Sequence, residues 1–337
     1  MVFTARLPEI TDAYACTILK KHWGIKGTIK FLTSERDQNI LVTADNGMRY
    51  LLKISHPDED RQVSNLQTTA LLHIASRDPS LPIPKVLPML DDKFEAFITL
   101  ADGRECLVRL MSFLEGSHIP PESVTIASAG NIGENAARLD LALSDCKHPA
   151  GDHDFLWDTR KLSELSSLLP YLQNNKKRAL IAKYVNRFCD EILPQLNLLP
   201  RQLIHNDLNL SNILFSGEAV TGIIDFGDML FAQRIIDPAN LCAYLIQDSV
   251  DPFFLGRAVM HRYMEINHLS PQEKILLPHL LIGRCLLTIL ITNWRAALYP
   301  EQSQRILRHE SGAYGLIKRG DILNSNLTDR FWENNNG

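Results

Sequence analysis

Hydrophobic periodicity changes once along this chain, near residues 111–116, and that change limits the fold more than any other feature. Residues 28–32, 40–43 and 48–54 are short runs rich in β-branched or aromatic side chains, as strands require. Asp45-Asn46-Gly47, between the last two runs, tolerates the positive φ of a tight hairpin turn. Residues 61–75 carry apolar side chains at Val63, Leu66, Ala70, Leu71 and Ile74, a helical period. Prolines at 79, 82, 84 and 88 then break the chain, and residues 94–100 and 105–113 form two more strands. Upstream, residues 1–26 read as a short helix that starts near Thr11-Asp12 and stops at Gly24. After Gly116 the spacing is helical over 124–144, 161–168, 177–192 and 253–267. The fold class predicted is α+β: a small antiparallel-sheet lobe with one helix against it, then a larger, mostly helical lobe. The predicted division is 1–112 and 113–337.

One segment of the second lobe departs from helical spacing, and it carries the chemistry. Residues 202–228 contain His205-x-Asp207-x-x-x-x-Asn212 and Asp225-Phe226-Gly227. Residues 213–215 and 220–224 are apolar runs separated by a turn at 216–219, so a hairpin brings Asn212 and Asp225 out side by side. Asp207 lies at the other end of the loop that leads into it. Two carboxylates and an amide thus converge at one edge. Mg²⁺ takes a few protein oxygens and leaves its other positions to phosphates and water. One carboxylate and one amide for the metal leave the second carboxylate to accept a proton, the division that phosphoryl transfer from Mg-ATP needs. A lone Asp-Phe-Gly is commonly a turn, but the joint spacing is far more specific.

Composition sets limits around that reading. With 337 residues, 45% of them hydrophobic, the chain has length for two lobes and apolar mass for a sizeable core. Lys+Arg 35 against Asp+Glu 39 gives a net charge of −4, which supplies no broad attraction to nucleic acid or an anionic membrane. The six cysteines show no C-x-x-C pair and suit buried thiols in a reducing compartment. The first eight residues lack the apolar core of a signal peptide. Residues 276–294 are apolar enough to raise a membrane span, but Pro278, His279 and a central Arg284 favour a buried core helix. A cytoplasmic protein with no obligate protein partner is expected.

His205-Asn206-Asp207-Leu208-Asn209-Leu210-Ser211-Asn212 and Ile224-Asp225-Phe226-Gly227-Asp228 resemble the catalytic and metal segments of the aminoglycoside phosphotransferase/choline kinase superfamily. These are small-molecule kinases with a protein-kinase-like two-lobed fold, and the order of elements here is similar along nearly the whole chain. Residues 33–39 look like the nucleotide loop of its hydroxylysine-kinase-like branch. The resemblance implies ATP and Mg²⁺ as cofactors, Asp207 as the catalytic base, and Asn212 and Asp225 as magnesium ligands. It implies that His205 supports the loop by hydrogen bonding and that Lys53, on the third strand, contacts the α- and β-phosphates. Residues 110–113, with Met111, resemble the hinge that would hold adenine.

The sequence also departs from the kinase pattern. Gln67 stands where an acid would pair with Lys53, and Glu59 or Asp60 are the nearby substitutes. No glycine-rich loop and no Walker A sequence is present, and Asn209 replaces the lysine that protein kinases carry after the base. Too few residues follow Asp228 for an activation loop, which disfavours a protein substrate. Residues 152–158 gather three acids and two aromatics; with Asp228, their Trp157 and Asp158 are candidates for an amine-bearing acceptor. The bland reading is a solvated loop with Trp157 anchored in the core. Arg284 and Arg295 would meet a substrate carboxylate, or a structural acid. The expected acceptor is the hydroxyl of a small amine-containing metabolite: hydroxylysine- or homoserine-like, choline-like, or an aminoglycoside. The alternative is a catalytically inactive, kinase-like nucleotide-binding regulator, suggested by Gln67 and Asn209.

Overall fold

A computed structural model of the chain describes residues 8–34, 36–246, 251–319 and 326–333. The first seven residues, Glu35 within the 33–39 loop, and the 334–337 tail expected to fray lie outside the described residues.

Helix α1 (Asp12–Trp23) is capped by the Thr11 side chain, which accepts from the Tyr14 amide, and ends at Gly24 with φ 67°. It precedes strands β1 (Gly27–Leu32), β2 (Gln38–Ala44) and β3 (Arg49–Ile54), helix α2 (Arg61–Arg77), and strands β4 (Ala96–Thr99) and β5 (Glu105–Ser112). All five strands form one antiparallel sheet in the order β1-β2-β3-β5-β4. Gly47 sits in the β2–β3 turn with φ 82°, a conformation that glycine adopts without steric cost.

Register divides the sheet into two faces. Leu52 lies opposite Leu110 and Ile54 opposite Val108, and these pack with Ile40, Val42 and the α1 residues Ala15, Ile18 and Leu19. Burying each such side chain contributes roughly 1.5–3 kcal/mol. The alternate residues Leu51, Lys53, Arg109 and Met111 face the other way, toward α2. Leu66, Ala70 and Ile74 of α2 belong to the same core as the helical lobe. The sheet is therefore covered on both faces, by α1 on one and α2 on the other, and α2 joins the lobes.

The second lobe contains α3 (Ile126–Leu143), α4 (Leu162–Leu165), α5 (Asn175–Arg187), α6 (Leu193–Leu196), and strands β6 (Arg201–Ile204), β7 (Ile213–Ser216), β8 (Ala219–Ile223) and β9 (Leu230–Gln233). Helices α7 (Ile236–Tyr244), α8 (Phe254–Ile266), α9 (Pro271–Leu298), α10 (Ser303–Ile306), α11 (Glu310–Lys318) and α12 (Leu327–Trp332) complete it. The predicted helix at 161–168 is α-helical only over α4, with 3-10 turns on either side. Strand β9 was not expected, because four residues beside a helix start carry no period; pairing with β6 makes it a strand.

Helix α9 contains the apolar 276–294 stretch. It begins with Pro271 and a reciprocal Ser270–Glu273 capping box. It is the one helix among the described residues long and apolar enough to cross a membrane, yet 89% of its most apolar window is buried inside the protein. It is the central core helix, and it carries Arg284 into the site.

Candidate active site

Strand β6 delivers the chain into the loop 205–212, which α7 holds from behind. The Asp237 carboxylate accepts from the His205 amide at 2.8 Å and from the Asn206 amide at 2.7 Å. Asn240 donates to the Asn206 carbonyl at 2.7 Å, fixing that residue at φ 64°. Both amides are buried and would be costly without a partner. The His205 ring links the two halves of the motif: its Nδ1 accepts from the Asp207 amide at 3.3 Å, and its Nε2 lies 3.0 Å from the Ile224 carbonyl. Those partners assign the proton to Nε2.

The β7–β8 hairpin closes as the spacing requires. Ile213 pairs with Ile223, and the Ile224 amide donates to the Asn212 carbonyl at 2.9 Å, so Asn212 and Asp225 leave the hairpin side by side. Asn212 donates through Nδ2 to the Asp207 carbonyl and to its Oδ2, both at 2.8 Å. Its amide oxygen is left to act as an acceptor. Asp225 has φ 63°, and its carboxylate has no hydrogen bond or ion pair among the described residues. One carboxylate and one amide oxygen form an oxygen-only set of the kind Mg²⁺ accepts. Burial, with Asp225 nearby, raises the Asp207 carboxyl above the usual range, although Arg284 opposes the shift. Burial and the charges of Asp207 and Asp225 push Asp228 up to about 8. The three carboxyl groups thus act on one another, each disfavouring the charge of its neighbours.

The first lobe supplies positive charge to the opposite side. Lys53 Nζ lies 2.9 Å from Asp37 Oδ2. Burial pushes the Asp37 carboxyl up, but Lys53 and Arg36 outweigh it and hold the group below its ordinary value. Gln67, the residue expected to serve Lys53, instead bonds Arg109, which also donates to the Ser64 carbonyl at 2.8 Å and to Thr68 at 3.0 Å. Lys53 and Arg109 are directly opposite on β3 and β5, so the guanidinium takes the α2 partners and the ammonium takes Asp37. Neither Glu59 nor Asp60 substitutes: Glu59 lies 3.4 Å from Arg36, and Asp60 caps α2. Arg36 also reaches Gly227 O at 3.4 Å, and a Cβ on Gly227 would stand 2.8 Å from that guanidinium.

Met111 is buried opposite Leu51 at the end of β5. Beside it, the Leu110 carbonyl accepts from Leu87, the Ser112 amide donates to Lys85 and the Phe113 amide to Arg49. The acidic 152–158 loop does not converge on a pocket. Asp152 pairs with Arg201 and Asp154 with Lys161, while both oxygens of Asp158 are engaged by Arg160. Asp158 is a buried turn cap, because Arg160 follows two residues later on the same turn. Trp157 does reach the site, stacked on Arg284 at 5.1 Å. Arg284 donates to Asp207 Oδ1 at 2.7 Å and to the Tyr244 hydroxyl at 3.0 Å. Its partner is neither a substrate nor a purely structural acid, but the carboxylate expected to act as base. Arg295 lies in the last turn of α9. Sequence reasoning passed over Asp37, Arg109, Asp237 and Tyr244. Asp37 alone left a signal, since it sits two residues before Asn39, which is opposite Lys53.

Comparison with known proteins gives a family and a set of relatives. The profile of the family described as "Phosphotransferase enzyme family" matches residues 28–263. Hydroxylysine kinase of Mus musculus is 25% identical over 324 residues, covering 89% of this chain and 86% of that one. Homoserine kinase of Zymomonas mobilis is 26% identical over 227 residues, covering 66% of this chain and 67% of the other. Among solved structures, an amicoumacin kinase in complex with AMP-PNP, Ca²⁺ and Ami superposes with a TM-score of 0.69 at 16% identity, over 91% of this chain and 94% of that chain. The last similarity shows the kinase-like two-lobed fold.

Proposed function

The chain belongs to the phosphotransferase enzyme family, and from that premise we propose that it is an ATP- and Mg²⁺-dependent small-molecule kinase. It would phosphorylate the hydroxyl of a small amine-containing metabolite, with hydroxylysine and homoserine kinases among its relatives. The observation that carries the reading is the meeting of Asp207, Asn212 and Asp225 at one edge, with a buried Lys53 held by Asp37 in the first lobe.

In this reading Asp207 orients the acceptor hydroxyl and takes its proton, while Asn212 and Asp225 hold the metal. When bound, Mg²⁺ neutralises charge on the phosphates. Lys53, steadied by Asp37, contacts the α- and β-phosphates. His205 keeps the base and the metal segment in fixed relation through the Asp207 amide and the Ile224 carbonyl. Met111 and the 110–113 hinge at the end of β5 would hold adenine, although the Leu110 carbonyl and the Ser112 and Phe113 amides are already bonded within the protein. Residues 1–112 would hold nucleotide and residues 113–337 the acceptor. Asp228 faces the acceptor's amine. Of the upstream loop only Trp157 contributes, as a wall; Asp158 shapes the turn. A cytoplasmic setting fits the free thiols and the net charge of −4, although only four of the six thiols are buried as expected, Cys189 being half-buried and Cys16 exposed.

The inactive-regulator reading loses both its supports. Lys53 has an acidic partner in Asp37, and Asn209 caps the loop by accepting from the Ser211 amide at 2.8 Å. The test is Asp207→Asn, assayed for ADP release with hydroxylysine, homoserine, choline and an aminoglycoside as acceptors. Turnover should fall about 10²–10⁴-fold while Mg-ATP still raises the melting temperature. A folded variant with undiminished turnover would sink the assignment of the base.

A further inference from the structure

The Arg284–Asp207 contact raises a difficulty for any reading in which Asp207 is a base. A guanidinium 2.7 Å from a carboxylate oxygen competes for the lone pair that should receive the acceptor's proton. Arg284 itself is poorly satisfied. Its side chain is 3% exposed, yet Nε and Nη1 have no hydrogen-bond partner among the described residues; only Nη2 is engaged, by Asp207 and Tyr244. Buried donors without acceptors are unfavourable, so a fold that holds them there calls for an anion. The guanidinium carbon lies 5.1 Å from the Trp157 ring and 5.5 Å from the Tyr244 ring, so two aromatic side chains border the group and leave its N–H groups as its polar contacts.

We propose that Arg284 is the binding site for a carboxylate on the acceptor, which makes the substrate class hydroxy amino acids and not amino alcohols lacking an acid group. The inference rests on the kinase reading of the cleft and narrows it. A planar carboxylate matches two neighbouring N–H groups of the fork at once, Nη2 together with either Nε or Nη1. On binding, it would draw the guanidinium's hydrogen bonding away from Asp207 and release that oxygen toward the hydroxyl. Arg284 is thus a specificity-determining residue that also couples acceptor binding to the availability of the base. An acceptor without the acid group would satisfy neither Nε nor Nη1, and a site built to bond a group rejects the analogue lacking it strongly, by about 10⁴-fold in favourable cases.

The test compares matched acceptors on the full-length protein with Mg-ADP present: L-homoserine against 3-aminopropan-1-ol, and 5-hydroxy-L-lysine against its carboxamide. Binding is measured by calorimetry and phosphoryl transfer by ADP release with Mg-ATP. Wild type should bind at least one of the two amino acids about 100-fold more tightly than its partner without the acid group. Arg284→Gln and Arg284→Lys should both erase that preference to within a few-fold, the lysine because a point charge does not reproduce the fork. Retained melting shifts with Mg-ADP certify the fold, and the lysine variant decides the matter if the glutamine variant does not fold. The inference is overturned if wild type shows no preference for the acid, if the variants keep it, or if they weaken both members of a pair equally, as a contact to the transferred phosphoryl group would. Carboxylate-dependent binding without transfer would defeat the kinase reading while leaving the carboxylate site standing; transfer without carboxylate preference would do the reverse.

Discussion

Lys53 and Arg109 stand directly opposite one another on adjacent strands, an arrangement that is unfavourable unless each charge has its own partner. The structure provides two separate sets. Asp37 serves Lys53, and Ser64, Gln67 and Thr68 serve Arg109. This explains why an amide at position 67 is compatible with a positioned lysine. Asp37→Asn should lower kcat/KM for ATP about 10–100-fold, since a buried ammonium deprived of its counter-charge is costly to hold in place. Adding Gln67→Glu should not restore it, because residue 67 faces Arg109; recovery of ATP efficiency in the double variant would contradict the pairing. The meeting of Asp207, Asn212 and Asp225 was legible in sequence because all three residues lie within 19 positions on one loop and hairpin, where geometry is local. The partners of Lys53 and Arg284 were not, because several acids lay within reach of each and only burial selects among them.

At the scale of elements, the loop carrying Asp207 depends on helices packed behind it. Helix α7 offers Asp237 to two loop amides, and α3 and α8 pack closely behind it. That packing needs a residue without a side chain: a Cβ on Gly133 would stand 2.1 Å from the Val259 carbonyl oxygen. Gly133→Ala should therefore destabilise the protein by about 3 kcal/mol, read as a lower denaturant midpoint, despite alanine's better helix propensity. An unchanged or raised midpoint would show that α3 and α8 separate freely. Most helices and the sheet strands were legible from period alone. Strand β9 was not, since its four residues become a strand only by pairing with β6, almost thirty residues earlier in sequence.

Across the whole molecule, a buried polar cluster ties three helices together. Asp140 on α3 accepts from the Tyr263 hydroxyl on α8 at 2.6 Å, beside Asp237 on α7. Burial and the neighbouring Asp237 raise the Asp140 carboxyl well above its ordinary value. The folded chain therefore keeps a proton there that the unfolded chain releases above about pH 4. Folded protein binds more protons in that window, so this group's contribution to stability falls as pH rises, by at most about 1.4 kcal/mol per unit, until the folded group ionises too. Asp140→Asn should flatten the stability–pH profile relative to wild type above pH ~4; parallel profiles from urea melts would refute the assignment. What the sequence by itself determined is the order of the lobes, the hairpin and the trio it gathers, because these follow from periods and spacings over a few turns of chain. What only the tertiary structure decided is which charges meet: Lys53 with Asp37, Asp158 with Arg160, and Arg284 with Asp207 from 77 residues away. The reason is physical: ion pairing in a buried cleft is set by desolvation and position, and both exist only after the lobes and helices have packed.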